Sequence, residues 1–157
     1  MAIREIREIG DPILEKHSKP VTEMTPRIRQ LIDDMWDTMR QADGVGLAAV
    51  QVGVLKRIFI VQTDEDHAYT LINPEITFME GEQVGNEGCL SVPDKSGQVK
   101  HAMKVALKAL DENMQPVEIT GEELLARAFQ HEYDHLDGKL YVDLVEGDLE
   151  SVEDDEE

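Results

Sequence analysis

The run His131-Glu132-Tyr133-Asp134-His135 constrains this chain more than any other five residues in it. Histidines at i and i+4 share a side only on a helix, where both imidazoles are close enough to grip one ion. The flanks agree with a helix. Thr120 with Glu123 reads as a capping box, and Leu124, Leu125, Ala128 and Phe129 supply an apolar face that runs to about Leu136, before Gly138. Glu132 sits beside the histidine face, placed to take a proton from a water at the ion rather than to bind the ion itself. Taken alone, the motif also reads as two partly exposed histidines held near a helix end by its dipole and local carboxylates.

A first helix is expected from Thr25 as cap and Pro26 at the first helical position, with Ile28, Leu31, Ile32, Met35, Trp36 and Met39 at three- and four-residue spacings to about Arg40. Short strands are expected at 57–63, at 69–72 before Asn73-Pro74, at 75–84 and at 116–119. Residues 98–110 form the clearest extended region, with Met103, Val105, Leu107 and Ala109 on one face and Lys104 and Lys108 on the other. Two helices among short strands imply an α+β fold, a compact single domain with mixed or antiparallel strands around the HExxH-bearing helix. The 157 residues fit one domain. Residues 1–145 are expected to form a metal-dependent catalytic domain. Residues 146–157, eight acidic and none basic, read as a flexible tail.

Charge and cysteine usage narrow the chemistry. Fifteen basic against thirty-four acidic residues give a net charge of -19, which argues against generic nucleic-acid or anionic-membrane binding. No stretch approaches the roughly 20 apolar residues of a membrane span. Glu5, Arg7 and Glu8 break any signal-peptide pattern near the N-terminus. A soluble protein of a reducing compartment is expected. A single cysteine cannot form an internal disulfide, so Cys89 is buried, reactive or metal-bound. Two histidines need a third ligand, and a thiolate is a strong ligand for zinc or ferrous iron, with Asp134 and Asp137 as rival carboxylates. Three protein ligands leave one position open, the pattern of a catalytic site. Gly44 and Gly46 can present backbone amides or simply turn the chain. Gln51 lies in a nearly apolar run, where its amide needs partners and can donate to an oxyanion or to nearby backbone. Arg127 reads as a surface or salt-bridge residue.

Three segments occur in order: Gly44-Val45-Gly46-Leu47-Ala48-Ala49-Val50-Gln51, Glu87-Gly88-Cys89-Leu90-Ser91 and Gln130-His131-Glu132-Tyr133-Asp134-His135. Together they resemble the peptide deformylase family, which removes formyl from the initiating methionine of new bacterial-type polypeptides, over roughly residues 3–145. The resemblance implies metal ligands at Cys89, His131 and His135, a catalytic glutamate at Glu132, and oxyanion donors in the Gln51 side chain and the Leu90 backbone N–H. It implies a substrate surface at Val45, Gly46, Glu87, Gly88 and Leu90, and a methionine pocket lined by Leu124 and Ala128. One divalent ion is implied, Fe2+ in cells, with Zn2+, Ni2+ or Co2+ able to occupy purified enzyme. The implied partners are N-formylmethionyl nascent peptides, with transient ribosome association, for a cytoplasmic monomer without nucleic-acid or membrane contacts.

This chain also departs from the pattern. Relatives usually carry arginine where His101 lies, paired with the glutamate matching Glu87, so Glu87 has a shorter, partly charged donor or another one. Asp94 stands where many relatives have glycine or glutamate, and the last core segment is 139–145, which reads as a shortened member. A zinc endopeptidase would need a downstream histidine or glutamate ligand, and Glu146 and Glu150 lie in the expected tail. A metal-stabilised protein-binding domain without hydrolase activity would not need Glu132.

Overall fold

The computed structural model describes residues 3–151. Helix α1 (Pro26–Gln41) starts as the sequence requires, with the Thr25 hydroxyl accepting from the Ile28 N–H at 3.1 Å and Pro26 opening the first turn. Strands follow in the order β1 (Gly46–Ala48), β2 (Ile58–Asp64), β3 (His67–Glu80), β4 (Gln83–Cys89), β5 (Val92–His101), β6 (Lys104–Leu110) and β7 (Pro116–Glu122). Helix α2 (Glu123–Leu136) then leads through a short 3-10 turn, Tyr141–Asp143, to β8 (Val145–Ser151). The strands form two antiparallel sheets, one ordered β1-β2-β3-β6-β7 and the other β4-β5-β8.

Strand β2 explains how the larger sheet is buried. Ile58, Phe59, Ile60 and Val61 are all inaccessible, because successive side chains point to opposite faces and both faces are covered. Phe59 and Val61 pack with Leu71, Val105, Leu107 and the α2 residues Phe129 and Leu136. Ile58 and Ile60 pack with Leu31, Ile32, Met35 and Met39 of α1. The sheet is therefore held between the two helices, and the expected α+β class is the observed one.

Local differences from the sequence reading have local causes. Strand β3 runs through Asn73-Pro74, where two separate strands were expected. Asn73 adopts φ 52°, accepts from the Val21 N–H and donates to the Val21 carbonyl at 2.8 Å each, and the pairing with β6 shifts register between Ile72 and Glu75. A bulge thus absorbs the proline, which cannot donate to a ladder. The extended region 98–110 is divided between β5 and β6, leaving Met103 exposed. Thr120 does not cap α2. It pairs with Ala106 inside β7, and Glu122 occupies the N-cap position without a side-chain cap bond.

The chain does not leave the body at Glu146. Residues Val145–Ser151 pair with β5, Val145 opposite Val99 and Glu146 opposite Gln98. Acidic composition speaks to the solvation of side chains, whereas antiparallel pairing uses backbone groups that any of these residues carries. The rest of the expected tail, 152–157, and the side chain of Asp94 lie outside the described part of the molecule.

Candidate active site

Helix α2 presents two adjacent rows of side chains, each stepping by four residues. Arg127, His131 and His135 form one row, and Leu124, Ala128 and Glu132 form the other. Opposite the first row, β4 ends at Cys89. The candidate ligand atoms of Cys89, His131 and His135 all lie within 4.8 Å of one another, and among the described residues no other such group is found. Cys89 Sγ lies 3.4 Å from His135 Nε2. A thiolate at about 2.3 Å and an imidazole at about 2.0 Å from a tetrahedral ion would stand roughly 3.5 Å apart, so the donors fit a transition metal in spacing as well as in chemistry. The rival Asp137 is taken up by an ion pair with Arg57 at 3.1 Å.

Glu87 fixes one of these ligands. Its Oε2 meets His131 Nδ1 at 2.5 Å, which leaves His131 Nε2 for an ion. Its Oε1 meets both His101 Nε2, at 2.9 Å, and an Arg127 N–H, at 2.8 Å. Burial opposes ionisation of Glu87, but the hydrogen bonds from His101 and His131 outweigh it and hold the carboxyl far below the usual carboxylate range. For His135, burial and the nearby His131 charge favour the neutral, ligand-competent imidazole. Burial also opposes charge on His131, yet hydrogen bonds to Cys89 and Glu87 push its ring well above the ordinary imidazole range. In the metal-free protein a proton therefore competes with an ion for the same nitrogen.

Glu132 sits differently. It is buried, and among the described residues its Oε1 has no hydrogen-bond partner. Burial raises its pKa from 4.5 to about 7, partly opposed by the His131 charge and reinforced by Glu87 and Asp134. Gly46 allows it this position, since a Cβ there would stand 2.5 Å from Glu132 Oε2. A close approach, and not a turn, accounts for this glycine.

A cleft of about 490 Å³ opens over these groups. Its lining includes Val45, Gly46, Gln51, Leu124, Ala128 and Glu132 together with Glu87, Gly88, Cys89, Leu90 and His131. His135 lies fully buried beneath. Gln51 is oriented from both ends: its Oε1 accepts from the Ala48 N–H at 2.9 Å, and its Nε2 donates to Ser91 Oγ at 3.0 Å and, more weakly, to Cys89 Sγ at 3.6 Å. A larger cavity of about 720 Å³, beside Trp36, Tyr69 and Val117, contains none of these groups.

The sequence reading missed two contributors. Ser91 is completely buried as the partner of Gln51. Arg127 makes the salt bridge that was one of its two expected readings, but it does so buried, and its spacing four residues before His131 was the available signal.

A cysteine sulfur, two imidazoles and a buried carboxyl group with one oxygen unpartnered among the described residues, gathered at an open cleft, define the class: a metal-dependent hydrolase. Residues 3–149 match the family described as polypeptide deformylase. The chain is 56% identical over 152 residues to the peptide deformylase of Agathobacter rectalis, covering 97% of this chain and 96% of that one. It is 55% identical over 154 residues to that of Lachnoclostridium phytofermentans, covering 97% and 94%. The fold superposes on a peptide deformylase from Legionella pneumophila with TM-score 0.89 at 46% identity, over 92% of this chain and 86% of that one. The peptide deformylase of Thermotoga maritima gives 0.89 at 38% identity, over 92% and 99%. This chain belongs to the peptide deformylase family, whose members are metal-dependent hydrolases.

Proposed function

We propose that the cleft hydrolyses the formamide of nascent polypeptides beginning with N-formylmethionine, around one divalent ion held by Cys89, His131 and His135. The observation that carries this reading is the pairing of that cluster, within 4.8 Å, with a buried glutamate whose Oε1 has no hydrogen-bond partner among the described residues. A purely structural site has no use for such a glutamate.

The ion, when bound, supplies Lewis acidity to the carbonyl and lowers the pKa of water. The remaining work belongs to side chains and backbone. Glu132 accepts the proton of the attacking water and returns it to the departing amine as formate leaves. Gln51 Nε2 and the Leu90 N–H donate to the oxygen on which negative charge develops. The long contact from Gln51 to Cys89 Sγ is the weaker of its two donations and is the one exchanged for that oxygen. Strands β1 and β4 are both sheet edges, so backbone near Val45, Gly46, Glu87 and Gly88 is suited to pair with an extended peptide. Leu124 and Ala128, with Val45, offer an apolar wall to the unbranched methionine side chain.

The sulfur and nitrogen donors favour ferrous iron or zinc over magnesium or calcium, and we read ferrous iron as the ion used in cells, with zinc, nickel or cobalt as substitutes. A reducing compartment suits a thiolate ligand, and among the described residues no helix is long and apolar enough to cross a membrane. The test is formate release from a short N-formylmethionyl peptide by anaerobic, ferrous-loaded protein. Glu132→Gln should cut release by about 10²- to 10⁴-fold while the ion stays bound. Metal-loaded wild type that releases no formate would leave the protein-binding reading instead.

A further inference from the structure

The proposed ligands come from two separate bodies. Cys89 ends β4 in the three-stranded sheet, while His131 and His135 ride on α2. Something must set the distance between them. Glu87 reaches across from β4 to His131, but a buried carboxylate can orient a ligand only if it is itself held. Among the described residues, His101 and Arg127 hold its other oxygen, and they are not equivalent. His101 lies on β5, the strand paired with β4, so its bond to Glu87 stays within one hairpin. Arg127 lies on α2 and crosses the gap.

The seat of Arg127 is shaped for that crossing. One N–H donates to Glu87 Oε1 at 2.8 Å, and Nη2 donates to the Val99 carbonyl of β5 at 3.3 Å. A Cβ at position 85 of β4 would stand 3.2 Å from Nη2, so glycine there gives the guanidinium its room. The side chain thus touches both strands of the hairpin from the helix that carries the histidines. Its planar fork and permanent charge suit two simultaneous acceptors in a way that a single-point donor does not. Just past the C-terminal end of β5, Gln130 accepts from the Ala102 N–H at 2.9 Å and donates to the Ala102 carbonyl at 3.0 Å, so the hairpin stays attached to α2 if Arg127 is lost.

We propose that Arg127 is a positioning residue for the metal centre: by tying Glu87 and the β4–β5 hairpin to α2, it fixes His131 and the separation of Cys89 from the two histidines. His101 is the dispensable second donor to Glu87. This rests on the ligand set proposed above.

The experiment uses the full chain loaded with Co2+. The thiolate-to-cobalt charge-transfer and d–d bands report ligand identity and geometry, and transfer of cobalt to a chelator reports how tightly it is held. Arg127→Met should shift the bands and speed cobalt loss by about 10- to 100-fold. Arg127→Lys, which keeps one donor for Glu87, should recover part of both, and His101→Ala should change the loss rate by under about tenfold. Gly85→Val is the second route: it crowds the guanidinium while leaving Arg127, Glu87 and His101 in place, and should reproduce the Arg127→Met bands. A wild type without a thiolate band would overturn the ligand set and this inference with it. A wild type with the band, and an Arg127→Met protein matching it in bands and loss rate, would overturn the role of Arg127 alone. So would a His101→Ala effect as large as that of Arg127→Met.

Discussion

Helix α2 brings its residues to the cleft through successive turns of one element, whereas the β4–β5 hairpin delivers Cys89 and Glu87 through contacts that span 40 to 46 residues of sequence. The helical side is set by backbone geometry: once α2 forms, His131 and His135 must share a face. The hairpin side is set by packing and buried polar contacts, each of which can fail without unwinding the helix. The two sides also divide the labour. In the proposed mechanism the hairpin governs whether an ion is held at the right spacing, and the Glu132 row of the helix governs what happens to the proton.

The largest effect should come from the hairpin. Cys89→Ala should abolish stoichiometric metal binding and bring formate release to background, while circular dichroism shows α2 intact. Retained metal and activity would mean that the helix alone makes the site.

On the helical side, the buried Glu132 should cost the metal-free protein stability in a pH-dependent way. Its folded pKa, about 7, lies above the ordinary 4.5. The folded state therefore keeps a proton that the unfolded state has already released, and stability falls as pH rises from about 4.5 through 7. At pH 8 the full penalty applies, on the order of 3 kcal/mol. Glu132→Gln removes it, so denaturant melts of the metal-free proteins should diverge in favour of the variant from pH 5 to pH 8. Parallel curves would show that burial does not tune this group.

The place where the two rows of α2 meet β1 offers a third comparison. Gly46→Ala would push against Glu132 Oε2 and should lower kcat on the order of 10²-fold through a misplaced carboxylate, with metal content unchanged. Metal loss alongside the activity would show that the proton-handling and metal-holding sides are not separable. The smallest effect belongs to the half-exposed Leu124. Leu124→Ala should raise KM for the formylmethionyl peptide about fivefold with kcat nearly unchanged, as expected for lost ground-state contact. A fall in kcat instead would place Leu124 in the chemistry.

The same contrast explains what could be read from the amino-acid sequence. Both helices were legible because their signals are local: the Thr25-Pro26 start, the 3.6-residue apolar period, and the stop near Leu136. The α+β class and the gathering of Cys89, His131 and His135 near Glu132 followed from motifs in fixed order. What escaped was decided at a distance. Nothing near Asn73-Pro74 says that Val21, 52 residues away, will hold a bulge and keep β3 continuous. Thr120 has the composition of a cap, but pairing with β6 claims its backbone first. An arginine is ordinarily exposed, and the buried position of Arg127 makes sense only once Glu87 is placed opposite it. The pairing of 145–151 with β5 escaped because charge describes side chains and not backbone.

The central claim is that one ion is shared between a cysteine from the hairpin and two histidines from the helix. X-ray absorption at the metal edge of the ferrous- or zinc-loaded protein tests it most directly. The account predicts one sulfur scatterer, at about 2.3 Å for zinc, and two imidazole nitrogens near 2.0–2.1 Å, with a further light atom completing the shell. A shell of nitrogen and oxygen alone would remove Cys89 from the site and contradict the account.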